Sequence, residues 1–250
     1  MSKTKKVRVT DLMVDGGLAP DVKTASALIM AGQVVANERR VEKASEMVTL
    51  DTHVRLKKRQ KYVSRAGMKI HGAIEYFGLE EAIKNKVCLD VGASTGGFTE
   101  CLLNCGAEFV YTVDVGTNQL DWKLRKNPRV IVSEKTDFRA FDFKKLSDKV
   151  APEFVVADVS FISLITLIPG FIKSSAPGTK LLLLVKPQFE IKRDSVPVGG
   201  VVEDIDISDA AVERVKIEFE KVGFLFKGIV NSQIKGRSGN QEVFLYLERS

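Results

Sequence analysis

Cysteine, histidine and tryptophan are scarce in this chain, whose 250 residues hold three Cys, two His and one Trp. The cysteines fall at 88, 101 and 105 and the histidines at 53 and 71. Those spacings make neither a zinc-ligand set nor a disulfide framework, so no metal is expected and the thiols should be free. Cys101 and Cys105 stand four apart on an expected helix, where buried or half-buried thiols in a reducing compartment are favoured over a redox pair. Long apolar runs are also missing. Stretches such as Leu181 to Val185 are far too short to span a bilayer. The opening Met1-Ser2-Lys3-Thr4-Lys5-Lys6 leads into mixed polar sequence rather than an apolar segment, so no export signal is read and a cytoplasmic location is expected. Acidic charge is short in one place. Residues 1–70 carry fifteen Lys and Arg against seven Asp and Glu, a net +8 beside +6 for the whole chain, which leaves the remainder at −2.

What is present suits one large soluble domain, or one of ordinary size with a small appendage: 44% of residues are apolar and 28% charged. The basic excess is concentrated in Arg55, Lys57, Lys58, Arg59, Lys61, Arg65 and Lys69, with no acid between them. Such a run is either a solvated face or a polyanion-binding strip. Tyr62 within it favours the second, since an aromatic ring can stack on a base.

The apolar spacing from Arg8 to Val14 predicts a helix that stops at Gly16-Gly17. A second helix is capped by Asp21, carries a stripe of Ala25, Leu28 and Ile29, and ends at Gly32. Val34 to Ala36 reads as a strand, Asn37-Glu38-Arg39 as a turn, and Val41, Val48, Leu50 and Val54 as further strand positions. Residues 57–66 lack periodicity and read as a basic linker that orders on binding. From Ser64 a helix is expected with Met68, Ile70, Ala73, Ile74 and Phe77 on one side, up to Gly78. Strands follow at 87–91, 109–113, 130–132, 154–157 and 181–185, with helices at 98–105, 120–125, 164–174 and 208–222. Short apolar strands separated by helices predict an α/β fold with a parallel sheet covered on both faces. Strands at 224–231 and 243–247 have no helix between them and should form an antiparallel pair at one edge.

The turn after the 87–91 strand holds Gly92, Ser94, Thr95, Gly96 and Gly97 at the start of the helix carrying Phe98 and Thr99. Glycine there lets a ligand approach the backbone, and the hydroxyls add polar contacts. The spacing differs from the dinucleotide fingerprint, and Asp90 just before the turn would repel a pyrophosphate while suiting a cationic amino-acid group. Asp114 closes the next strand, where an acid accepts ribose hydroxyls, and Asp137 after the third strand is placed to accept from an adenine amino group. Each acid alone could be a helix cap or a loop residue. Three of them after three successive strands point to S-adenosylmethionine. The place after the fourth strand reads Val156-Ala157-Asp158-Val159-Ser160-Phe161, which lacks the carbonyl-acceptor motif of amino-group methylation. Asp158 instead faces Lys186, a partly desolvated lysine at the end of a central strand and a candidate base, with a phosphate-binding or surface lysine as the alternative.

Two resemblances rest on these residues. The pattern of two helices followed by short strands, with Ala31 to Val35, Asn37 and the region from Val48 to Leu56, resembles an S-four-type RNA-binding domain, with Lys23 in place of the usual Ser-Arg charge. Tyr62-Val63-Ser64-Arg65-Ala66-Gly67-Met68-Lys69, Asp90 to Thr99, Asp158 to Leu164, Val185 to Glu190 and Ser238 to Glu242 together resemble the TlyA family, known under the names hemolysin and ribosomal RNA 2′-O-methyltransferase, with an FtsJ-type catalytic domain. The family resemblance implies a class I (Rossmann-like) methyltransferase sheet behind a small N-terminal α+β domain. Residues 1–60 would bind RNA, 61–66 would link, and 67–250 would catalyse. It implies a quartet of Lys69, Asp158, Lys186 and Glu242, a cofactor set of Asp90, Gly92, Ser94, Thr95, Gly96, Gly97, Phe98, Thr99, Asp114, Asp137 and Asp158, and transfer to a cytidine ribose of ribosomal RNA. The chain ends just past its final strand, as shorter members do, which leans toward the large subunit. Lys186 is the expected base, Lys69 a like charge that favours its deprotonation and steers RNA, and Asp158 and Glu242 the acids that hold the ammonium groups. RNA contacts are expected from Arg8, Lys23, Arg55, Lys57, Lys58, Arg59, Lys61, Tyr62 and Arg65. No membrane partner and no metal are expected, and a monomer is favoured. The alternatives are a non-catalytic RNA-binding or ribosome-assembly factor, or a hemolysin-like activity.

Overall fold

The computed structural model describes residues 5–57, 61–143, 151–192, 194, 196–197 and 199–250, which divide into two compact units, Met1–Arg59 and Gln60–Ser250.

The first unit packs two helices, α1 (Val9–Asp15) and α2 (Val22–Met30), against short strands. Strand β1 (Lys6–Arg8) pairs antiparallel with β4 (Met47–Thr49), and β2 (Val34–Ala36) lies between β3 (Arg39–Arg40) and β5 (Val54–Leu56). Asp21 caps α2 by accepting from the Thr24 amide at 2.7 Å, as its position before the helix predicts. The turn from β2 to β3 is made by Asn37 and Glu38, both with positive φ (45° and 63°), the backbone that a two-residue hairpin requires. Arg39 belongs to the following strand rather than to the turn. Val9, Met13, Ala25, Ile29, Val34 and Val41 form the core. Val41 and Leu50 are not in strands: Val41 is buried through loop packing, while Leu50 sits exposed in a turn.

In the second unit seven strands form one sheet in the order β11-β12-β10-β9-β6-β7-β8, with β6 (Val87–Val91), β7 (Phe109–Val113), β8 (Val130–Ser133), β9 (Phe154–Ala157) and β10 (Lys180–Val185) parallel. Strand β12 (Val243–Arg249) runs antiparallel to both β10 and β11 (Phe224–Asn231), the expected edge pair. Side chains alternate across the sheet, so each strand feeds two cores. Leu89, Val91, Val155, Leu181, Leu183 and Leu245 face Phe171 of α7 (Ile168–Ser174) and Phe219 of α9 (Ile205–Glu220). Cys88, Val156, Leu182, Leu184 and Phe244 face Ile70 and Ile74 of α3 (Arg65–Phe77) and Phe98 and Leu102 of α5 (Gly97–Asn104). Burying each of these large side chains contributes roughly 1.5–3 kcal/mol. The helix expected at 164–174 opens as a 3-10 turn, Leu164–Leu167, and the one expected at 120–125 shortens to α6 (Trp122–Arg125). Two further short helices connect or flank strands, α4 (Glu80–Ile83) and α8 (Pro187–Glu190), and the long α9 begins at Ile205, where Asp204 accepts from the Asp206 amide at 2.9 Å.

Residues 61–66 do not behave as a linker. Tyr62 is 3% exposed and packs into the α3–α5 core, and the Val63 amide donates to Glu100 Oε2 at 2.5 Å. Tyr62 is therefore no stacking platform for a base. Burial, together with the neighbouring Cys101, pushes its phenol above the ordinary range. Glycine makes this packing feasible: a Cβ on Gly67 would lie 2.4 Å from the Tyr62 ring, and one on Gly97 would lie 2.7 Å from the Gly67 nitrogen. Met68, expected on the apolar side of α3, is 39% exposed. Helix α3 ends on Gly78 in the left-handed region (φ 63°), with the Leu79 amide closing back to Ile74 at 3.0 Å. The three cysteines are free. Cys88 and Cys101 are buried and Cys105 is half-buried, and Cys101 directs its thiol to the Tyr62 hydroxyl at 3.7 Å.

Candidate active site

The parallel register brings the strand ends together. Val91 pairs with both Val113 and Ala157, and Leu183 with Ala157, so Gly92, Asp114, Asp158 and Lys186 all emerge at the carboxyl edge of the sheet. Because β12 is antiparallel, its first residue Val243 pairs with Val185 and places Glu242 beside Lys186 in the chain's cross-strand order. Lys69 arrives from the second turn of α3.

The four charges form two ion pairs. Lys69 bonds to Glu242, with side-chain exposures of 11% and 4%. Lys186 Nζ stands 2.6 Å from Asp158 Oδ1, with exposures of 9% and 18%. That second contact misses hydrogen-bond angles, and the aligned bond from Lys186 goes to Ser160 Oγ at 2.8 Å. The ammonium is also 5.9 Å from the Phe189 ring. A cavity of about 620 Å³ holds all four charged groups in its wall, with Arg65, Ser160, Phe161, Lys235 and Arg237 also on its lining. Gly236 leaves room for Glu242, since a Cβ there would fall 2.6 Å from Oε1.

A second cavity of about 490 Å³ adjoins through Gly92, Ser94, Asp158, Ser160 and Phe161, and is walled by Asp114, Asp137, Phe138, Ile162 and Leu167. Its mix of carboxylates and apolar side chains suits a nucleoside. Asp114 accepts from the Ser94 amide at 2.8 Å and from the Gly116 amide at 2.7 Å, so backbone donors hold it at the pocket wall. Asp137 is gripped by Arg139, whose Nε lies 3.0 Å from either oxygen, and this keeps its carboxyl below the usual range. Ser94 takes a left-handed backbone (φ 47°), as do Gly92 and Gly96 (φ 79° and 93°).

The other expected cofactor residues divide. Thr95 is exposed, while Gly96 packs on Leu120 and Leu124 rather than on open space. Phe98 reaches the first cavity but is mainly core. Thr99 is fully enclosed and does not reach either cavity; its hydroxyl donates to Asp90 Oδ2 at 2.6 Å. Asp90 points to the α3–α5 side of the sheet with Cys88, is completely buried behind Val91 and Gly92, and lines neither cavity. Loss of water around it pushes its carboxyl up to about 7. Asp90 Oδ1 and Asp158 Oδ1 are both buried oxygens without a hydrogen-bond partner. Of the two only Asp158 lines the cavities, and a carboxylate there, beside a pocket of acids and apolar side chains, fits a cofactor with a cationic amino-acid end.

Of the expected RNA contacts, Arg8, Lys23, Lys57, Lys61 and Arg65 are exposed. Arg55 is half-buried and bonded to Glu38 at 2.7 Å, so its charge is already matched. Lys61 Nζ lies 3.0 Å from His71 Nε2, and Arg65 donates to the Lys235 carbonyl at 3.1 Å. Lys58 and Arg59 lie outside the described residues. Lys235, Arg237, Ser160, Phe161 and Phe189 were not singled out from sequence. Two basic residues in a loop punctuated by Gly236 and Gly239 were the available signal for the first pair. Among the described residues no cluster of three or more His, Cys, Asp or Glu is arranged to hold a metal, and no helix is long and apolar enough to cross a membrane.

Known proteins are similar to this chain over most of its length. The family model for FtsJ-like methyltransferases matches residues 62–249. YqxC of Bacillus subtilis, provisionally named an rRNA methyltransferase, is 42% identical over 248 residues, covering 98% of this chain and 86% of that protein. The 16S/23S rRNA (cytidine-2′-O)-methyltransferase TlyA of Mycobacterium tuberculosis is 38% identical over 245 residues, 97% of this chain and 90% of the relative. A solved structure from Streptococcus thermophilus, provisionally described as a hemolysin, superposes with a TM-score of 0.74 at 38% identity and covers 99% of this chain and 90% of its own.

Proposed function

The chain belongs to the FtsJ-like methyltransferase family, and from that membership we propose that it methylates the 2′-hydroxyl of a cytidine ribose in ribosomal RNA. The methyl donor is S-adenosylmethionine, which supplies an electrophilic methyl group on a positively charged sulfur. Asp114 and Asp137 would hold its nucleoside in the second cavity, and Asp158, which lines both cavities, would face its amino-acid end.

The observation that carries the reading is the pair of ammonium–carboxylate contacts in one cavity wall, Lys186 with Asp158 and Lys69 with Glu242. A ribose hydroxyl is a weak nucleophile until its proton leaves, so the acceptor needs a positioned base. Lys186, in its neutral form, takes that proton onto Nζ, and the resulting ammonium is matched by Asp158, whose Oδ1 lies 2.6 Å away. The nearby Lys69–Glu242 pair fixes the wall against which the ribose rests, and Lys235, Arg237 and Arg65 supply positive charge at the cavity rim for the phosphates. No step in this sequence calls on a metal. The first unit, with exposed Arg8, Lys23 and Lys57, would add sequence-independent grip on the RNA.

Transfer of labelled methyl from S-adenosylmethionine to separated ribosomal subunits lacking the modification tests the reading, with the product mapped by resistance to alkaline cleavage. Label that blocks cleavage at one ribose, and that disappears in Lys186→Ala, is the expected result, and the subunit that takes it identifies the substrate. Cofactor binding without transfer to either subunit would sink the proposal in favour of a binding-only role. Lysis of red cells by the purified protein would favour the activity that the Streptococcus thermophilus description names.

A further inference from the structure

We propose that Ser160 is a positioning residue for the Lys186 amine, fixing the direction from which that amine accepts the ribose proton. The inference rests on the reading of Lys186 as the base and adds a residue to it. A lysine that has lost one proton keeps two N–H bonds and one lone pair in a tetrahedral arrangement. It removes a proton only if the lone pair, and not an N–H, faces the acceptor hydroxyl. The direction of the lone pair is therefore decided by whatever accepts the two N–H groups.

Two acceptors stand at the right distance. Ser160 Oγ accepts a hydrogen bond from Nζ at 2.8 Å, and Asp158 Oδ1 lies 2.6 Å away but outside hydrogen-bond geometry. Asp158 thus supplies charge, while Ser160 supplies most of the direction. Ser160 also lines both cavities, which puts it at the junction between the methyl donor's pocket and the cavity that holds the quartet. The next residue, Phe161, holds a left-handed backbone (φ 64°) that commits the chain to a single turn after Ser160. The Phe189 ring, 5.9 Å from Nζ, offers no lone pair that could replace the hydroxyl. With Ser160 gone, the amine turns about its last bonds toward Asp158, and the lone pair leaves the acceptor direction. Misplacement on that scale costs on the order of 10²-fold in rate when the reacting groups are otherwise intact.

Ser160→Ala and Ser160→Thr, compared with the unmodified enzyme, test this. Ser160 is exposed, so neither change should unfold the chain, and thermal unfolding of each variant checks that directly. The expected result is a fall in kcat of about 10- to 100-fold for Ser160→Ala, with the Kd for S-adenosylmethionine and the KM for ribosomal RNA within threefold of the unmodified enzyme, and recovery of kcat to within about fivefold in Ser160→Thr. A hydroxyl that merely filled space would not be restored selectively by threonine. The proposal is overturned if Ser160→Ala keeps kcat within threefold, if its loss appears in cofactor or RNA binding instead, or if threonine fails to restore kcat. Lys186→Ala run in parallel separates the two ideas. Full activity there removes the base assignment itself, whereas an inactive Lys186→Ala beside a fully active Ser160→Ala removes only the role of Ser160.

Discussion

The two lysines of the site are both nearly buried and each meets a carboxylate, yet they are held in different ways. Lys69 projects from the second turn of a helix and bonds to Glu242, which is itself enclosed, and Gly236 makes the space for that acid. Lys186 follows strand β10 just before Pro187 and faces a more accessible carboxylate at a poor angle, with its hydrogen bond going to a neutral hydroxyl. An ammonium locked to a buried anion is a structural clamp and a source of field. An amine held by a serine hydroxyl and an off-angle carboxylate borders the cavity with no such clamp on it. Two lysines in one cavity can thus do different work because of the burial and alignment of their partners.

Replacing each lysine by methionine should separate these roles most strongly. Lys186→Met removes the base and should lower kcat by about 10²–10⁴-fold while leaving S-adenosylmethionine binding in place, as isothermal titration would report. Lys69→Met strands Glu242 as an uncompensated buried charge and should destabilise the fold by about 3–5 kcal/mol, visible in chemical denaturation. Lys186→Met should cost clearly less stability, since the side chain of Asp158, at 18% exposed against 4% for Glu242, keeps access to water. Pairing Lys69→Met with Glu242→Gln should recover most of the loss. Equal destabilisation by the two methionine variants would erase the distinction between clamp and base.

A third carboxylate shows what happens with no lysine at all. Asp90 is fully buried with Thr99 donating to it, and its carboxyl is pushed up to about 7 chiefly by burial, against 3.8 for the free group. A folded-state value above the unfolded one means that the protonated form favours the fold. Its contribution is complete below about 3.8 and is lost as pH rises through about 7. Asp90→Asn, which keeps an acceptor for Thr99 but cannot ionise, should therefore be more stable than the unmodified protein at pH 8, by at most about 4 kcal/mol. The difference should shrink to nearly nothing at pH 4. Urea denaturation at the two pH values checks this, and a gap that is the same at both would show that ionisation of Asp90 plays no part.

Much of this arrangement was legible in the residues. The strands Val87–Val91, Phe109–Val113, Phe154–Ala157 and Phe224–Asn231 fall where short apolar runs between helices place them, and the register then delivers Asp158 and Lys186 to one edge. Other features were hidden for physical reasons. Strand β1 is three residues with two charges, and it is defined by pairing with residues about forty positions away. Tyr62 sits in a run of positive charge that masked its apolar role, and the slot that receives it exists only because Gly67 and Gly97 lack side chains. Asp90 looked like a cofactor contact because it precedes a glycine turn. Strand alternation instead turns its side chain to the α3–α5 face, where Thr99 meets it. The hydrogen bond from Lys186 to Ser160 depends on the turn at Phe161, and a non-glycine residue with positive φ leaves no mark in composition or periodicity.

That same turn gives the smallest effect on the fold and a sharp test of the Lys186 side of the comparison. Phe161 is 91% exposed, an unusual place for a large apolar ring, and it is held there by its left-handed backbone, with the Phe189 ring 5.1 Å away and tilted by 46°. The ring lines both cavities, so it faces the space that an acceptor nucleotide must enter. An exposed aromatic in that position contributes little to the core. Phe161→Ala should shift unfolding free energy by no more than about 0.5 kcal/mol, as surface substitutions do. If a base stacks on the ring, its loss should weaken engagement of the RNA by about 1–3 kcal/mol, which corresponds to a rise in KM of about 5- to 150-fold. Phe161→Tyr should keep most of that contact. Phe98, which also reaches the first cavity, is buried and offers no such ring. A Phe161→Ala enzyme with unchanged KM would therefore place the acceptor base elsewhere and leave Lys186 without an aromatic wall that matters to the substrate.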